Sequence, residues 1–308
     1  MSLEFHWSLP SDGSMALQYR NAAYLINVAR AAEYAGFHGI QLPAGPGSLE
    51  PSLAAALLAR HTTRLRFLVA CRPGAVQPAV AAQSTQTLQS ISGNRLLLNV
   101  VSGGSQAERR PFGDLLEHEE RHQRTHEFLQ ILRQAWKGRA ALAGQLQFHG
   151  SYFRVENGGL LKPLRTPPPI YLGGASAQAE QVAAELGDVH LRWDESPAQA
   201  GERVRRLRAL AAGFGRSLRF GYGAYVIARE TEGAATDVAA RLARARGNVI
   251  VGSYKQVAQS LEALHALGID SFVLSAGPDL PELLRLGEEV LPLLRKKPLA
   301  TPQVSLAA

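Results

Sequence analysis

Cysteine is nearly absent from this chain: Cys71 is the only one in 308 residues. A single thiol excludes an internal disulfide framework and a zinc site built from thiolates alone. Lysine is scarce too, since 5 of the 33 basic residues are Lys and the rest are Arg. Against 26 acidic residues they leave a formal charge of +7. No uncharged apolar run reaches the roughly 18 residues of a membrane span, so no membrane association is expected. The first ten residues lack a basic stretch followed by an apolar core. No secretory signal is therefore expected, and the default compartment is the cytoplasm.

The basic excess does not point to nucleic acid. The densest stretches, 202–208 and 241–246, fall on helical patterns, where a charge run is a solvated face. No aromatic residues are interleaved with them to stack bases.

What is present is an ordinary globular composition, 46% hydrophobic and 19% charged. Short apolar runs at 5–10, 39–43, 65–71, 96–102, 170–174, 189–193, 219–228 and 271–276 predict eight strands. Most are near-continuously apolar, as parallel strands buried on both faces are. Between them, amphipathic stretches predict helices over 21–35, 51–60, 78–90, 119–136, 177–186, 197–212 and 254–267, with a last helix over 280–294. Several open on Pro or behind a Ser, and several end at Gly. Eight β-α units in this length predict an α/β fold, a (β/α)8 TIM barrel. An open doubly wound sheet would want a Gly-x-Gly-x-x-Gly turn after the first strand, and Ser11-Asp12-Gly13-Ser14 stands there instead. Residues 1–295 are expected to form one domain. The loop 137–169 holds a hairpin-like excursion, and the Pro- and Ala-rich tail 296–308 is expected to fray.

In such a barrel, chemistry sits at the C-terminal strand ends. Gly173-Gly174-Ala175-Ser176 ends a strand and opens a helix there. That pattern suits a phosphate, through close backbone N–H groups and the helix dipole, and it equally suits a tight turn with a Ser cap. Ser102-Gly103-Gly104-Ser105 is a second small-residue turn. His118-Glu119-Glu120-Arg121-His122 fits H-E-x-x-H, which on a helix can ligate zinc. Its polar, charged surroundings instead read as an ordinary helix start, and no metal is expected. Cys71 reads as a small buried hydrophobe. No Gly-x-Ser-x-Gly elbow occurs. Trp193 is either core or a wall for a planar ligand at the barrel mouth.

Further segments carry a family resemblance: Arg64 to Ala70, Arg72-Pro73, Leu98 to Gly103, the helix from His118 to Phe128, Pro169 to Ser176, Arg219 to Gly221, Val226 to Thr231, and Leu267 to Ser275. Across nearly its whole length the chain resembles the bacterial luciferase-like flavin monooxygenases, and most closely their alkanesulfonate monooxygenase branch. The resemblance implies a TIM barrel that binds reduced FMN supplied by a separate flavin reductase and oxygenates a small molecule. It also implies a homo-oligomer. His122 stands where the family usually has a Tyr at the flavin phosphate. The cofactor is then expected at Asn99, Ser102, His122, Gly174, Ala175 and Ser176, with His122 able to carry positive charge. The ring is expected toward Asn99, Arg72 and Trp193. Tyr225, Arg72 and Trp193 are the expected catalytic residues.

The chain departs from that branch at several active-site positions. Asp12 replaces a His, Ser48 a Cys, Gly223 an Arg, Tyr225 a His and Gly277 a Tyr. The region between the seventh and eighth strands, from Arg229 to Tyr254, is too short for the usual lid. Gly223 and Gly277 are expected to enlarge the pocket, and activity on alkanesulfonates is expected to be weak or nil. Two functions follow: a flavin-dependent monooxygenase with a different substrate, or a barrel that binds flavin or a partner without catalysis.

Overall fold

The computed structural model describes residues 3–10, 21–45, 47–104, 106–138, 145–241, 248–277 and 279–295. Eight parallel strands close into a barrel. They are β1 (Glu4–Ser8), β2 (Gly39–Leu42), β3 (Arg66–Cys71), β4 (Leu96–Val100), β7 (Ile170–Leu172), β8 (Val189–Arg192), β9 (Arg219–Arg229) and β11 (Ser271–Ser275). Each pairs with the next, β8 pairs with β9, and β11 pairs with β1, which closes the ring. The eight predicted strands are these eight, and the fold is a (β/α)8 TIM barrel.

Two features lie outside the ring. β5 (Leu146–His149) and β6 (Arg154–Gly158) form an antiparallel hairpin in the long fourth crossover, where the excursion was expected. β10 (Val249–Ser253) was not anticipated. It pairs with the upper half of β9, Tyr225–Arg229, beyond the barrel rim, while the lower half of β9 pairs with β11. The eleven-residue length of β9 is what serves both partners. The helix Glu232–Arg241 was also missed. Asp12, Ser105, 242–247 and the tail 296–308 lie outside the described residues.

Alternation along the strands sorts the side chains. Leu68, Leu97, Tyr171, Val189, Leu191 and Val273 fill the barrel interior. Their neighbours, such as Phe67, Leu96, Phe220 and Phe272, face outward and pack with the helices. The bottom of the barrel is closed by charge: Arg219 bridges Glu4 and Asp270, both at 3.2 Å, and Arg66 reaches Glu4 at 3.5 Å. Above this plug, a cavity lies at the C-terminal mouth.

Candidate active site

At that mouth a cavity of about 510 Å³ opens among the ends of β2, β3, β4, β7 and β8. This lies within the usual range for a small-molecule or cofactor site. Local chain chemistry builds its rim. The helix Ala177–Leu186 follows β7, and Ser176 caps it by accepting from the Ala179 N–H at 3.2 Å. Gly174 takes φ +121°, open to glycine but strained for other residues, and a Cβ there would overlap the Ala179 side chain. The turn therefore brings bare backbone to the cavity at a helix N-terminus, which favours an anion.

The adjoining rim is the head of the helix His118–Trp136, where the Glu117 N–H donates to the Glu120 carboxylate at 2.9 Å. Here His122 Nε2 lies 3.4 Å from Ser176 Oγ, and the His118 ring meets it edge-on at 4.7 Å. Burial, with help from His118 and Arg121, pushes the His122 pKa down to about 4. With no anion beside it the ring is therefore neutral at pH 7, and the nearby fixed cation is Arg121. This buried guanidinium lines the cavity, with Nε donating to Ser102 O at 3.1 Å and NH1 to Leu116 O at 3.0 Å. Sequence reasoning passed Arg121 over as part of the H-E-x-x-H match. Among the described residues no group of three or more His, Cys, Asp or Glu is placed to hold a metal ion.

Of the residues singled out from sequence, Asn99, Ser102, His122, Gly174, Ala175, Ser176 and Trp193 line this one cavity. Arg72 and Tyr225 do not. Arg72 lies behind the rim, with NH1 donating to Gly103 O at 3.3 Å and NH2 to Ala44 O at 2.8 Å. It braces the wall between this cavity and a larger, mostly apolar one of about 840 Å³, which Ser48, Cys71, Leu88 and Phe112 help to line. Burial pushes the Cys71 thiol up to about 12, so it is no nucleophile at neutral pH. Tyr225 sits where β9 leaves the ring for β10, its N–H donating to Asn248 O at 2.8 Å.

Gly223 likewise does not enlarge the pocket. A Cβ there would overlap the Trp193 indole, and one at Gly221 would approach Leu191 Cδ1 to 2.9 Å. The two glycines of β9 admit the large side chains of β8, so Trp193 fills that side of the mouth and the cavity opens on the other.

Gln41, another residue missed in the sequence, lines the floor. Its Oε1 is buried without a hydrogen-bond partner. The signal was there: Gly39 and Gln41 share the inward face of β2. An orphaned buried carbonyl at the floor, an anion cradle at the rim and a neighbouring Arg fit a long planar ligand with a phosphate at one end.

Solved structures share this fold. EDTA monooxygenase from Chelativorans sp. BNC1 is 20% identical with a TM-score of 0.82, covering 96% of this chain and 93% of that one. A long-chain alkane monooxygenase is 19% identical with a TM-score of 0.82, covering 96% and 92%. The coenzyme F420-dependent tetrahydromethanopterin reductase from Methanopyrus kandleri is 16% identical with a TM-score of 0.78, covering 96% and 100%. At these identities the likeness speaks for the fold alone. The sequence itself matches the model of the luciferase-like monooxygenases over residues 3–247, well over half its length, and the chain belongs to that family.

Proposed function

We propose that the protein is a monooxygenase using reduced FMN supplied by a separate reductase, acting on a small molecule other than a short alkanesulfonate. The observation that carries the reading is the turn Gly173–Ser176, which faces the same cavity as Arg121. When bound, reduced FMN would supply the activation of oxygen, and the protein would bind, orient and exclude water.

The residues divide that work. The backbone at Gly174 and Ala175, the Ser176 hydroxyl and Arg121 would hold the phosphate. His122 would take up a proton as a phosphate dianion arrives, since the anion offsets the burial that keeps the ring neutral. Gln41 and Asn99 would meet the polar edge of the ring from the floor. Trp193 walls the mouth against water.

The substrate reading rests on charge. A sulfonate in a partly dry pocket needs fixed donors aimed at it. Gly223 supplies none, and the Arg72 guanidinium is drawn to the Gly103 and Ala44 carbonyls and to the Glu108 carboxylate at 3.5 Å, which offsets its charge. The adjoining apolar cavity favours a substrate with an apolar body. Self-association is part of the same reading.

Titration with FMN and with coenzyme F420 tests the cofactor. Binding of FMN, tighter in one redox state, is expected, and binding of F420 alone would overturn the assignment. A coupled assay with a flavin reductase tests the substrate. Sulfite release from alkanesulfonates at about 1 per second or faster would show that the missing donors are not needed.

A further inference from the structure

We propose that His190 is a positioning residue for the anion-binding turn: from behind, it holds the Gly174 carbonyl and so turns the next N–H toward the cavity. The proposal rests on reading that turn as the phosphate cradle. His190 is on β8 but faces outward, fully buried between the barrel and its helices. Its Nε2 lies 3.1 Å from Gly174 O and its Nδ1 lies 3.2 Å from Arg203 NH1. A guanidinium only donates, so Nδ1 accepts and the ring proton must sit on Nε2, where it donates to Gly174 O.

Arg203 is itself locked. Its Nε lies 2.9 Å from Glu195 Oε2, and its NH2 lies 2.6 Å from Glu195 Oε1 and 3.1 Å from Gly221 O. NH1 also reaches His190 O at 3.1 Å. All five guanidinium hydrogens thus have an acceptor. Glu195 is tied down in turn, with its N–H donating to Asn248 Oδ1 at 2.8 Å and its carbonyl accepting from Tyr222 OH at 2.9 Å.

The consequence follows from peptide geometry. In a planar trans peptide the carbonyl and the following N–H point in opposite directions. Drawing Gly174 O toward buried His190 therefore turns the Ala175 N–H to the other side, which is the cavity that Ala175 lines. A glycine at 174 restrains this peptide less than any other residue would, so an external anchor bears on its orientation. Burial, followed by Arg203, also pushes the His190 pKa down to about 3, so the ring keeps this donor–acceptor pattern across the working pH range.

The test compares FMN with riboflavin, which lacks the phosphate, by titration of the full-length wild type, His190→Leu and His190→Gln. The wild type should prefer FMN. His190→Leu should weaken FMN by about tenfold and leave riboflavin within about twofold. His190→Gln, which can still donate to Gly174 O, should recover most of the loss. Equal weakening of both ligands would mean a merely structural role and overturn the proposal, as would an unchanged FMN affinity. If His190→Leu does not fold, Arg203→Lys, which cannot hold Glu195, Gly221 and His190 together, should show the same selective loss. A wild type without preference for FMN over riboflavin would sink the cradle itself, and the positioning role with it. A normal preference that survives in every variant would sink only the positioning role.

Discussion

At the scale of single residues, the proposed anion site divides into groups that would hold its ligand by shape and groups that would hold it by charge. Ser176 does both local jobs, capping its helix and presenting a hydroxyl near His122. Ser176→Ala should weaken FMN by about 1–2 kcal/mol, the worth of one polar contact, as read by fluorescence titration. Arg121 contributes charge. Arg121→Gln should cost FMN about 1.5–3 kcal/mol, the range for a charge-assisted hydrogen bond, while riboflavin binding stays unchanged. Equal losses for the two ligands would show that Arg121 acts only by bracing Ser102. The turn Gly173–Ser176 was legible in the sequence because glycine, serine and a helix start carry their meaning locally. Arg121 and the neutrality of His122 were not. Both depend on burial beside residues that meet only after folding; His122 was expected as the cation because it stands where the resembled family has a Tyr at the flavin phosphate.

At the scale of elements, the strands were legible because a run buried on both faces must be apolar throughout. What the runs could not show was how far each strand rises past its neighbours. β9 overshoots the ring, and β10 attaches to the overshoot, a relation visible only in the register of Tyr225–Arg229. The pairing of β8 with β9 sets the shape of the mouth by matching small residues to large ones. A Cβ at Gly223 would overlap the Trp193 indole, so Gly223→Ala should destabilise the fold by about 1–3 kcal/mol, the usual cost of overpacking. In thermal unfolding, Gly223→Ala combined with Trp193→Ala should lose less than the two single changes added together, because the collision vanishes. Strict additivity would mean that the indole moves aside freely and does not wall the cavity. The segment after β9 runs into the helix Glu232–Arg241 and into β10, which pairs with the upper half of β9.

At the scale of the whole molecule, titratable groups are held in the states that neutral pH gives them, and this fixes how the fold meets acid. Burial lowers the pKa of His6 and His38, and it is the largest cause of the shifts to about 4 for His122 and about 3 for His190. Each of these rings binds a proton more readily unfolded than folded. Unfolding therefore takes up protons below the ordinary histidine value of 6.5, and stability falls as pH drops from there toward each folded value. Burial alone would raise Glu4, but His6 and Arg219 outweigh it and hold its pKa at about 2. Its contribution is complete above 4.5 and is lost as pH falls toward 2. The two windows join, so the melting temperature should decline continuously on acidification with no plateau near pH 5. Each fully titrating ring sets a slope of about 1.4 kcal/mol per pH unit at most. His190→Gln removes one such ring while keeping the donor to Gly174, and its stability curve should be flatter than the wild type between pH 6 and 4. Parallel curves for the two proteins, measured by calorimetry at matched ionic strength, would mean that His190 does not titrate on unfolding in this range, and that the acid response lies with the remaining histidines and Glu4.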